Sequence, residues 1–125
     1  MKGNKFAAVG CLFAAMAVAL GAFAAHGLKS QITPYALSII EKGVQYQLWH
    51  ALALIVLGLW LMVAPQRLLV IAGGFIVVGI LCFSGSLYGL ALTDWRWLWP
   101  VTPIGGMSLL IGWGLAAWSL WRQTS

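Results

Sequence analysis

A chain of 125 residues that is 62% hydrophobic and only 7% charged cannot have water as its main solvent, because soluble domains carry about 25% charged residues. Its net charge of +5 comes from seven Lys and Arg against two acids, Glu41 and Asp94. The cations stand singly between apolar runs rather than in a patch with interleaved aromatics, which excludes a nucleic-acid partner and fits the way membrane proteins set their orientation.

The chain opens on "MKGNK", which resembles the n-region of a signal peptide, and Ala22-Phe23-Ala24 has the form of a cleavage site. The apolar run that follows, 6–26, exceeds the usual h-region of roughly 7–15 residues. It is read as a retained first span. Cys11 lies within it and Cys82 within a later one. Their expected depths differ by about 13 Å, too far for a disulfide, so both are read as small buried apolar residues.

Thr33-Pro34 has the pattern of an N-cap followed by proline at the first helical position. Beyond it Leu37, Ile40 and Val44 share one face while Ser38, Glu41, Lys42 and Gln45 share the other. That predicts a short amphipathic helix at about 34–45 in the headgroup region. The alternative is an N-terminal extension of the second span, and both hold if the helix bends at Gly43. The remaining spans are expected at about 47–63, 68–92 and 101–121, each near the ~20 residues needed to cross hydrocarbon. "APQR" and "TDWRWLWP" connect them and are too short for anything but antiparallel neighbours. The predicted fold is all-α: one membrane domain, 1–125, built as an antiparallel four-helix transmembrane bundle with one short interfacial amphipathic helix.

With four spans, Lys2, Lys5, Arg67 and Arg122 share one side, against Lys29, Lys42, Arg96 and both acids on the other. The positive-inside rule then favours cytoplasmic termini in a bacterial inner membrane. Trp95, Trp97 and Trp99 line the outer loop, Trp49 opens the second span, and Trp60, Trp118 and Trp121 sit at inner ends, as interfacial indoles do. Trp113 falls nearer mid-depth and needs a partner for its N–H.

Polar residues gather in the outer half. His26 ends the first span; Tyr46, Gln47 and His50 begin the second; Ser84, Ser86 and Tyr88 lie in the third; Thr102 and Ser108 begin the fourth. Tyr46, Gln47 and His50 can share one helix face, and Ser84 and Tyr88 another. Close helix packing is expected at small-xxx-small positions: Ala17-Gly21-Ala25, Gly85-Gly89, and Ser108-Gly112-Ala116, with Gly105-Gly106 at the start of the fourth span. The layer is read as interhelical hydrogen bonding, worth about 0.6 kcal/mol per contact, or as a site for a small ligand or lipid headgroup, or as a dock for a larger membrane complex. A homo-oligomeric transporter or channel subunit is a competing reading, but it calls for a polar stripe through both leaflets. A His26–His50 redox or hydrolytic site is another, and would need the two rings to face each other. No span holds a carboxylate, so no catalytic residue, metal or cofactor is assigned.

"GAFAAHGL" (21–28), "YQLWHALAL" (46–54), "FSGSLYGLAL" (83–92), and "TPIGG" with the later "GW" (102–106, 112–113) resemble the small bacterial inner-membrane family known as domain of unknown function 423, the YgdD-like proteins. The blocks fall in all four spans in the same order. Ala24 stands where the family pattern usually has glycine, a small-for-small change. The resemblance implies a multi-pass inner-membrane protein of this size, without an activity, substrate or cofactor. It ties His26, Tyr46, Gln47, His50, Ser84, Gly85, Ser86, Tyr88, Thr102, Pro103, Gly105 and Gly106 to the family's motifs.

Overall fold

The structure, a computed structural model, describes residues 1–123. Four helices long and apolar enough to cross a membrane account for nearly all of it. This follows from the solvent: inside hydrocarbon a backbone must satisfy its own N–H and C=O groups, which a helix does segment by segment. Helix α1 spans Gly3–Phe23 and runs into a π-helical turn, Ala24–Leu28; α2 is Pro34–Val63, α3 Arg67–Leu92 and α4 Val101–Trp121. A single 3-10 turn, Arg96–Leu98, interrupts the last connection.

Thr33 caps α2 as its sequence predicts, its Oγ1 accepting the Ala36 N–H at 3.1 Å with Pro34 at the first position. The amphipathic stretch it opens is not a separate surface helix. It is continuous with the second span, and Gly43 does not break it. Thirty residues make about 45 Å of helix, beyond the ~30 Å of hydrocarbon, so about ten residues project past the core. The amphipathic pattern itself is real: Ile40 is buried and Leu37 and Val44 half-buried, while Ser38, Glu41, Lys42 and Gln45 are exposed.

The extensive interfaces are α1–α2, α2–α3 and α3–α4, so α2 and α3 form the centre and α1 and α4 flank them. The core runs through Phe6, Leu54, Leu61, Leu69, Ile76 and Leu109. Around it, Leu12, Val18, Val56 and Leu110 are each more than 60% exposed, a surface that only lipid can accommodate. All eight tryptophans face outward. Cys11 faces outward too, against the expectation of burial; Cys82 is half-buried and both are free thiols.

Lipid gives apolar helices no preference for one another, so association depends on close backbone approach. On α1 the close positions are Gly3, Gly10 and Ala17 rather than the expected Ala17-Gly21-Ala25. A Cβ on Gly10 would lie 2.8 Å from the Ala51 carbonyl oxygen. One on Gly58 would lie 2.5 Å from the Ala7 nitrogen. Gly21 merely touches Val44 at an ordinary distance, and Ala25 is exposed. The α4 stripe is as expected: Gly105 meets the backbone of Cys82 and Phe83, Gly112 meets Ile76, and Ser108 and Ala116 are buried between them. Three other glycines depart from expectation. Gly85 is exposed with open space where a Cβ would stand, Gly89 receives the Leu98 side chain rather than a helix, and Gly106 makes only ordinary contact with the Phe83 ring.

Candidate functional site

The residues expected to form one polar layer fall into three groups. At its centre, the buried Gln47 of α2 ties three helices together. Its Nε2 donates to the Phe13 carbonyl of α1 at 2.8 Å, and its Oε1 accepts the Tyr88 hydroxyl of α3 at 2.7 Å. One turn earlier on α2, the Ser84 hydroxyl donates to the Gly43 carbonyl at 2.7 Å. Gly43 is glycine because the Tyr88 ring lies across it: a Cβ there would meet that ring at 2.7 Å.

The second group joins α2 to α4. The Trp113 indole N–H donates to His50 Nε2 at 3.0 Å, while His50 Nδ1 lies 2.7 Å from the Tyr46 carbonyl. A carbonyl only accepts, so Nδ1 carries the proton and the ring is the neutral Nδ1–H tautomer. Both nitrogens are thereby engaged. The Tyr46 ring stacks on the imidazole, centroids 5.9 Å apart and planes 14° apart, and also packs against Phe83, tilted by 36°. The orphan indole of the mid-depth tryptophan thus has its partner.

The third group pins α3 to α4. Ser86 and Thr102 share a hydrogen bond of 2.5 Å near the loop end, and the Ser108 hydroxyl donates to the Phe75 carbonyl at 2.7 Å close to mid-depth. Among the described residues, no buried side-chain nitrogen or oxygen lacks a hydrogen-bond partner.

His26 stands outside all three groups. It is exposed on the π-helical turn. Gly21 packs opposite Val44, and from that level the chain runs in opposite directions to His26 and His50. Their axial separation is therefore about 16 Å, three turns rather than the one turn that a shared site could bridge. No group of three or more metal-binding side chains occurs among the described residues.

Sequence reasoning missed several partners. The carbonyls of Phe13, Gly43 and Phe75 carry no sequence signature, since every residue has one. Ser119 was also overlooked. It is fully buried near the end that carries both termini, and its hydroxyl donates to Oε1 of Gln66 in the α2–α3 turn. That half of the molecule is not purely apolar.

Three openings matter to function. A crevice of about 110 Å³ reaches Gln47 and Tyr88 between Met16 and Gly85, well below the roughly 300–1,000 Å³ of small-molecule sites. A groove of about 540 Å³ runs between α2 and α4, walled by Trp49, Val56, Trp60, Trp113 and Leu120 and floored by Leu69 and Ile76 of α3. A polar pocket of about 470 Å³ lies at the terminal end, lined by 64–67, Arg122 and Gln123.

Comparison with known proteins identifies a family model described as "Protein of unknown function (DUF423)", which matches residues 20–106. The UPF0382 membrane protein SAB0533 of Staphylococcus aureus is 45% identical over 110 residues, covering 86% of this chain and 88% of its own. The UPF0382 membrane protein of Haemophilus influenzae is 38% identical over 122 residues, 98% of both chains. The UPF0382 membrane protein YwdK of Bacillus subtilis is 39% identical over 109 residues, 86% of this chain and 89% of its own. No solved structure matches the chain.

Proposed function

The chain belongs to the DUF423 family, and from that starting point we propose a non-catalytic role exercised through its membrane-facing surface. On this reading the polar layer is the lock that fixes the bundle, and what the protein binds, lipid or a larger membrane complex, it binds from outside. One observation carries this: every buried polar side-chain atom in the described residues already has a partner within the chain. A group offered to a ligand or substrate would be the exception to that rule. The small crevice at Gln47 supports the same reading, as does His50, whose two nitrogens are both engaged.

Ser84→Ala and Thr102→Val are each expected to lower stability by about 0.6–1 kcal/mol, read as unfolding in detergent mixtures. Native mass spectrometry of the same samples is expected to show unchanged retention of co-purified small molecules and lipids. Loss of a retained species at unchanged stability would instead make the layer a binding site.

We place the chain in the bacterial inner membrane with both termini cytoplasmic, on the excess of cations at that end. In a background lacking Cys11 and Cys82, a cysteine at Trp97 should react with a membrane-impermeant maleimide added to intact spheroplasts, and one at Gln66 only after lysis. The reverse pattern would invert the topology.

A further inference from the structure

We propose that the α2–α4 groove and the basic pocket at its mouth together bind one anionic phospholipid from the leaflet on the side of the termini. The proposal stands apart from the polar layer, which the groove meets only at Trp113.

The groove has the dimensions of half a membrane. From Trp49 to Trp60 along α2 is about 16 Å, roughly one leaflet of a ~30 Å hydrocarbon core. Its α3 and α4 linings, Leu69 to Ile76 and Trp113 to Leu120, lie in the halves of those helices nearest the termini. Ala53 and Ala116 leave the width for a chain between larger side chains. Nothing in the lining is charged, so it suits an acyl tail and nothing polar.

The mouth supplies the opposite chemistry at the right level. Along the helix axes Leu69 of the groove floor lies about 3 Å inside Arg67, and Leu120 of its wall about 3 Å before Arg122; both arginines line the polar pocket. Guanidinium forks suit phosphate oxygens bidentately. The start of α3 adds to this. Gln66 does not cap it, its side-chain oxygen being taken by Ser119, so the first-turn N–H groups of α3 have no side-chain partner. Both acidic side chains of the protein, Glu41 and Asp94, belong to the opposite end, while Lys2 and Lys5 add positive charge at this one. An amphiphile with one anionic phosphodiester beside an acyl chain is complementary to both halves at once.

The test uses the full chain, delipidated in detergent and titrated with phosphatidylglycerol or with phosphatidylcholine of identical acyl chains, bound lipid being counted by native mass spectrometry. The expected result is one tightly held phosphatidylglycerol, preferred at least tenfold over phosphatidylcholine. Arg67→Gln with Arg122→Gln should remove that preference. Ala53→Leu, which narrows the groove, should weaken both lipids about equally. Equal retention of the two lipids by the unaltered chain, or a second copy of the protein in place of lipid, overturns the proposal whether or not the variants fold. An unchanged preference in a folded double variant does so as well.

Discussion

Gly105→Ala is expected to destabilise the protein by about 3 kcal/mol, whereas Gly85→Ala, twenty residues away in sequence, should change stability by less than about 0.5 kcal/mol. The first methyl has nowhere to go. It would stand 2.8 Å from the Cys82 carbonyl carbon and as close to Phe83 Cα, and these are backbone atoms of α3 that no rotamer change can move. The helices must part, which stretches the Ser86–Thr102 and Ser108–Phe75 hydrogen bonds on either side. The methyl at Gly85 enters open space facing the membrane, and alanine is the better helix former. Reversible unfolding of the two variants in mixed detergent decides the matter. Equal losses would mean that Gly85 is an interface position after all.

Gln47→Leu carries the second large effect, about 2 kcal/mol. Leucine keeps the apolar bulk but severs the bond to Phe13 and deprives the Tyr88 hydroxyl of its acceptor. Losing two membrane hydrogen bonds costs about 1.2 kcal/mol on the average value, and stranding a half-buried hydroxyl adds about 1 kcal/mol more. The Tyr88→Phe change removes the stranded group, so Gln47→Leu with Tyr88→Phe should be no less stable than Gln47→Leu alone. A coupling of at least about 0.5 kcal/mol is expected from the double-mutant cycle. Strict additivity would show that the amide does not hold the two helices together.

The contrast between Gly85 and Gly105 shows what a sequence of this kind reveals. The number of spans was legible because hydrocarbon imposes a length on apolar runs, and the α2–α3 turn and the Thr33 cap followed from local chemistry, but the second helix begins at Pro34 rather than near 47. The faces were not. Small residues four apart mark a smooth helix side, but they do not say whether a neighbour or lipid lies against it. On α3 the side carrying Gly79 meets Leu109, while the side carrying Gly85 meets nothing. The polar layer was legible as a set of depths, yet its wiring was not, because more than half of its acceptors are backbone carbonyls. His26 was grouped with His50 by depth alone, and the register set by Gly21 against Val44 separates them.

The order in which the helices pack has a consequence for assembly. The α1–α2 and α3–α4 pairs meet more extensively than α2 meets α3, so the molecule consists of two hairpins joined along a thinner seam. Each hairpin is held by glycine-lined contact and by hydrogen bonds of its own, Gln47 to Phe13 in the first and Ser86–Thr102 and Ser108–Phe75 in the second. The seam has less contact and depends on Ser84 on the Gly43 carbonyl and Tyr88 on Gln47, directional bonds satisfied at one register only. In a crowded bilayer, where greasy surfaces cannot tell one neighbour from another, those few hydroxyls and one amide serve as the address by which each hairpin recognises its own other half.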